Sequence, residues 1–127
     1  MNKVDYWREL AEYDMETAKV MLDSKRYVYV GFMCHQAIEK ALKAYYVKVK
    51  NELPPYTHSL ILLVTKTGIY GEITEEKKGF ISFLDPLNVA TRYPATISKL
   101  LNILTPEVCK NLIQQTEREL QWIIAKL

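Results

Sequence analysis

Chemistry in this chain would have to be built on the stretch His35-Gln36-Ala37-Ile38-Glu39-Lys40-Ala41-Leu42-Lys43-Ala44-Tyr45. Projected as a helix at about 100° per residue, Ala37, Ile38, Ala41, Leu42, Ala44 and Tyr45 fall on one broad arc, joined by Gly31 and Cys34. His35, Gln36, Glu39 and Lys43 share the opposite arc, with Lys40 and Tyr46 at its margins. Glu and Lys alone would describe a solvated face. Histidine and glutamine add side chains that hydrogen-bond specifically near neutral pH. The arc is therefore either an ordinary solvated face or a polar site.

The chain has two histidines. The second, His58, sits in Thr57-His58-Ser59-Leu60. If the helix it opens packs antiparallel to the one carrying His35, it is placed near Lys43 or Tyr46. It would serve there as a proton donor or phosphate contact, or simply as a capping and packing residue. Arg92-Tyr93-Pro94 is a further cluster. An arginine held at a helix end can fork onto a carboxylate or a phosphate, and Asp14 is its candidate partner within the fold. Arg118, between Glu117 and Glu119, reads as a solvated charge cluster.

Other chemistries find no footing. No pair of helical carboxylates suits a di-metal site, and no His/Asp set has zinc spacing. No glycine-rich phosphate loop is present, and no nucleophile with a base can be argued. No metal and no cofactor is expected. Seventeen basic and fifteen acidic residues give a net charge of +2, which excludes a polybasic nucleic-acid binder but leaves room for a local basic patch. Cys34 and Cys109 lack metal-ligand spacing and read as small buried thiols. Charges begin at Lys3 and Asp5 with no apolar run after them, so no signal peptide is expected. No run approaches the roughly 20 apolar residues of a membrane span. A cytoplasmic, reducing setting is the expectation.

The elements that must position these residues are helices. The 127 residues suit one domain with one core. Glycine and proline, four and five in number, fall between segments of helical periodicity. The first helix is expected over 4–24, with Val4, Trp7, Ala11, Ala18, Met21 and Leu22 as its buried stripe. Asp14 falls within that stripe, so it needs a partner or a proton. The second helix spans 27–50 and ends before Leu53-Pro54-Pro55-Tyr56. A short third helix begins near Thr57, capped by Thr57 or Ser59, and stops at Gly68. Thr74-Glu75-Glu76-Lys77 opens a fourth, carried by Phe80, Phe83, Leu84, Leu87 and Ala90, with a kink or break before Pro86. A short helix covers 95–104. Thr105-Pro106-Glu107 opens the last, whose stripe is Val108, Leu112, Thr116, Leu120, Ile123, Ile124 and Leu127. Short loops imply antiparallel neighbours.

Three stretches, taken together, resemble the HEPN domain family. They are Asp14-Met15-Glu16-Thr17-Ala18, His35 through Ala44, and Leu87-Asn88 followed by Thr91-Arg92-Tyr93-Pro94. Thr57-His58-Ser59-Leu60 also looks like the family's His-x-Leu helix start. The resemblance implies an all-α, up-and-down bundle of four to five helices with short connecting helices, a single domain over 1–127, and usually a dimer. It implies a partner as well, since such domains often act beside a minimal nucleotidyltransferase in a two-component, toxin–antitoxin-like module.

Many members are metal-independent ribonucleases carrying Arg, four to six residues, then His. This chain departs from that pattern: no histidine follows Arg92, and Pro94 interrupts the spacing. The expectation is thus a non-catalytic nucleotide- and partner-binding subunit, with no enzyme activity. His35, Gln36, Glu39, Lys43, His58 and Arg92 would line a polar groove. Lys43 and Arg92 would hold phosphate, Tyr93 or Tyr46 would stack on a base, and Asp14 and Lys40 would serve structural ion pairing. A ribonuclease with a displaced histidine and a purely structural dimerisation module are the rivals. The latter fits nine tyrosines and two tryptophans. RNA is the less favoured ligand, and no membrane is involved.

Overall fold

The computed structural model describes residues 2–88 and 94–127. Among the described residues six α-helices follow one another: α1 (Lys3–Asp23), α2 (Tyr27–Lys50), α3 (Leu60–Lys66), α4 (Glu75–Leu84), α5 (Pro94–Ile103) and α6 (Pro106–Ile124). Two 3₁₀ turns, Ile69–Glu72 and Asp85–Asn88, link the middle of the chain. Among the described residues there is no strand, so the class is all-α.

Local chemistry sets the helix ends. Asn2, Ser59, Thr74 and Thr105 each accept the backbone N–H three residues on, at 2.8, 3.1, 3.2 and 3.2 Å, which satisfies a donor the helix leaves orphaned. Ser59 rather than Thr57 caps α3, so that helix starts three residues later than expected and His58 lies in the loop before it. At Thr74 the N3 residue is Lys77, so only half of a capping box forms. α4 stops at Leu84, ahead of Pro86, and the 3₁₀ turn takes over. Phe83, within α4, is exposed, at 40%, where the apolar pattern had placed it in the core. Gly68 terminates the third segment with φ +79°, a conformation that costs other residues a Cβ clash.

α2 is the hub. It packs against α1, α3, α4, α5, α6 and the second 3₁₀ turn. Trp7 meets Lys43 while Asp14 meets Lys40, which makes α1 and α2 antiparallel. Lys77 reaches Glu119 at 2.8 Å and Lys19 reaches Glu117 at 3.5 Å. Two members of the expected solvated cluster therefore tie α6 to α4 and α1, while Arg118 is exposed.

The core gathers Met15, Ile38, Leu42, Leu60, Leu63, Leu84, Leu104 and Leu120 around α2. Cys34 and Cys109 are free and buried. Burial pushes the Cys34 thiol up to about 12 and Cys109 to about 11, so both behave as inert apolar groups. No helix among the described residues is long and apolar enough to cross a membrane.

Candidate functional site

A helix packed on every side buries its polar arc as well as its apolar one. That is the fate of α2. His35 is 0% exposed, Glu39 2% and Lys43 7%. The solvated-face reading of this arc is thus corrected, because α1, the loop before α3 and the turn after α4 cover what the helical projection alone leaves open to water. Among the described residues, His35, Glu39 and Lys43 line no open groove. An open groove of about 590 Å³ lies instead between the start of α1 and the end of α2, beside Lys3, Val47, Lys48 and Leu53.

Charges this deeply buried must be matched, and two rows of partners do so. In the first row, the Glu39 carboxylate is shared. Lys43 Nζ donates to Oε2 at 3.0 Å and His58 Nδ1 lies 3.0 Å from Oε1. Lys43 also stands 5.4 Å from the centroid of the Trp7 ring, a cation–π contact. His35 lies between two acids, its Nδ1 3.8 Å from Glu39 Oε1 and its Nε2 3.9 Å from Asp85 Oδ1. These separations exceed hydrogen-bonding range, and both ring nitrogens are buried without a hydrogen bond among the described residues. Burial holds the His35 pKa below its ordinary value, although Glu39 and Asp85 pull it the other way.

The second row runs along the other margin of the arc. Lys40 Nζ donates to Asp14 Oδ2 at 2.5 Å and to Gln36 Oε1 at 3.3 Å. Gln36 Nε2 in turn donates to Asn88 Oδ1 at 2.7 Å. The partner of Asp14 is thus Lys40. Arg92 and Tyr93 lie outside the described residues, as does their place in the expected groove. Tyr46 is buried, and its hydroxyl donates to Glu52 at 2.5 Å, so it cannot offer a face to a base.

Of the first row, His58 is the member that reaches water, with its side chain 52% exposed against 2% for Glu39. It meets Glu39 rather than Lys43 or Tyr46, because Ser59 and Asp85 fix the chain just after it. Leu60 N donates to Asp85 Oδ1 at 2.7 Å and Leu62 N to Ser59 Oγ at 3.1 Å. Beside it, Tyr56 is fully exposed, with ring centroids 6.5 Å apart.

The contacts that Asp85, Asn88, Trp7 and Tyr56 make at this site were not foreseen from the sequence, although Trp7 was placed in the stripe of the first helix and Asn88 in the family motif. Asp85 carried a signal, an acid before a proline at a helix break. No spacing rule links the other three to α2. Among the described residues no cluster of His, Cys, Asp or Glu could hold a metal ion.

A family model described as HEPN domain matches residues 4–127. The crystal structure of TT1696 from Thermus thermophilus is similar over 100% of both chains, with a TM-score of 0.82 and 22% sequence identity, a likeness of fold. None of the curated proteins compared matches the chain significantly.

Proposed function

The chain belongs to the HEPN domain family, and on that premise we propose that it is a non-catalytic, nucleotide- and partner-binding subunit. It acts with a minimal nucleotidyltransferase in a two-component, toxin–antitoxin-like module of the cytoplasm, as a homodimer. One observation carries the non-catalytic part. Both histidines of the chain, His35 and His58, precede Arg92 and belong to the Glu39 cluster of α2, so neither stands five to seven residues after Arg92, where the family's ribonucleases keep theirs. Moving the 2′-OH proton requires an acid/base within reach of the scissile phosphate.

In this reading the nucleotide binds at the surface end of the row. His58, oriented through Nδ1 by Glu39, contacts phosphate with its other nitrogen. Tyr56 offers its face to the base. Lys43, Glu39 and His35 hold His58 in place from beneath, and Arg92 and Tyr93 complete the contact. The test is titration of the purified chain with ATP, beside His58→Ala and Tyr56→Ala. A loss of about tenfold or more in affinity in each variant is expected, while unchanged affinity refutes the site. Capture of the chain from its host with a nucleotidyltransferase of stoichiometric amount tests the partnership.

A second reading has one observation in its favour. The 3.0 Å contact between His58 and the buried Glu39 is the arrangement that orients an imidazole for proton transfer. A ribonuclease using His58 would cut RNA without metal and lose that activity in His58→Ala. RNA left intact by the purified protein removes it.

A further inference from the structure

The outward side of α1 carries an apolar seam. Tyr6, Tyr13 and Val20 recur every seven residues and are 51%, 72% and 57% exposed. Leu10 and Thr17, half-buried, fill the intervals. Residues seven apart stay on one side of a helix, and alternate three- and four-residue steps are the spacing of a coiled-coil seam. From Tyr6 to Val20 the seam runs about 21 Å, long enough to seat three turns or more of another helix. Tyrosine supplies large contact area with little side-chain entropy to lose, and such residues concentrate in the binding cores of interfaces.

Charge decides the occupant. Glu9, Glu16 and Asp23, also seven apart, form an exposed row along one edge of the seam. Glu9 and Asp23 have no ion-pair partner among the described residues, and Glu16 has only Lys19, at 3.0 Å on the far side of the row. α1 as a whole carries six acidic and three basic residues, in a chain whose overall balance is +2. A second copy laid antiparallel over the seam by a twofold axis would set this acidic row against itself. A parallel copy would set it against the opposite edge, Trp7, Asp14 and Met21, which carries no base and whose first two members are engaged with α2.

We propose that the Tyr6–Tyr13–Val20 seam of α1 docks an amphipathic helix of a different protein, one with apolar residues at seven-residue spacing and a flanking row of lysine or arginine. Apolar knobs seat between the tyrosines, and the basic row meets Glu9, Glu16 and Asp23. Flanking charges of this kind select the partner and its direction more than they add affinity. The seam is separate from the His58 site, so the two assignments stand or fall independently.

Three synthetic peptides of about 21 residues, roughly the length of α1, test it against the full chain by fluorescence anisotropy. One has leucine and isoleucine at heptad spacing with a lysine row. The second replaces lysine by glutamate, and the third keeps the first composition in scrambled order. The expected result is binding of the ordered lysine peptide about tenfold or more tighter than either control. That binding is lost in Tyr13→Glu and in the triple variant Glu9→Lys, Glu16→Lys, Asp23→Lys. Both variants change exposed residues and should keep the helical circular dichroism of the parent. Equal binding of ordered and scrambled peptides overturns the seam. Equal binding of lysine and glutamate peptides, or no binding, overturns the charge selection. A dimer of the chain that dissociates in Tyr13→Glu shows that a second copy covers the seam and refutes the proposal.

Discussion

Nε2 of His35 stands 3.9 Å from Oδ1 of Asp85, across the junction between α2 and the end of α4, and neither ring nitrogen makes a hydrogen bond among the described residues. The groups facing this ring are Glu39 from its own helix, Asp85 from the turn after α4, and His58 from the loop before α3. The neutral ring fits this buried slot better than the cation does. Because folding lowers the pKa of His35 from 6.5, the unfolded chain takes up this proton first. Its contribution to stability is whole above pH 6.5 and is lost as pH falls below that value. Urea midpoints measured at about pH 7.5 and about pH 5.5, on either side of the ordinary histidine pKa, should drop for the parent and drop less for His35→Leu. Parallel losses in both proteins would assign the acid sensitivity to other groups.

Asp14 and Lys40 test the second polar row. Asp14 is 8% exposed and sits 2.5 Å from Lys40 Nζ. Lys40→Met leaves that carboxylate without its cation in a mostly apolar setting. A loss of about 2 kcal/mol is expected from the partly buried position, less than for a fully buried pair. Adding Asp14→Leu should restore most of it, since the charge that lacked a partner is then gone. A double variant as weak as the single one would mean that packing, not charge, dominates here.

Gly31 lets two leucines pack close against α2. A Cβ there would meet the terminal methyls of Leu87 and Leu104, each at 3.0 Å. Gly31→Ala gains about 1 kcal/mol of helix propensity and loses a similar amount pushing two leucines aside, so its melting temperature should lie close to that of the parent. Gly31→Val adds two more methyls at the same place and should cost about 2 kcal/mol or more. The comparison in thermal melts separates the two effects.

Asp85 joins stability to the candidate site. Its Oδ1 accepts Leu60 N at 2.7 Å, at the first residue of α3. Asp85→Ala should cost about 1 kcal/mol for the lost cap. It should also weaken nucleotide binding through displacement of the neighbouring His58, without touching the ligand. Asp85→Asn, which keeps an acceptor, should recover most of both. An affinity unaltered in Asp85→Ala would show that Ser59 alone positions the loop.

Periodicity, caps and prolines are local signals, and they made the helices legible. The stripe of α6, the N-cap at Thr105 and the break ahead of Pro86 all follow from contacts within a few residues. The stretch His35 through Ala44, with the two others quoted beside it, likewise pointed to the family that the match over residues 4–127 bears out. The need of Asp14 for a partner was visible too, because an acid in an apolar stripe violates the cost of burying charge.

Which partner, and what the polar arc of α2 is for, depended on the fold. A helical projection says which residues share a side, not which neighbour lies over that side. His35, Glu39 and Lys43 occupy an arc that is polar by sequence and buried by packing, because α2 is surrounded and every side of it meets another element. Asp85, far along the chain from His35 and brought there by the turn that Pro86 enforces, carries no mark in the sequence of what it faces. The sequence by itself determined the helices and the family, since both rest on short-range spacing. Only the tertiary structure decided that a row with the composition of a surface is an internal charge network that reaches water at His58, because long-range packing alone removes water from one side of a helix and leaves it at another.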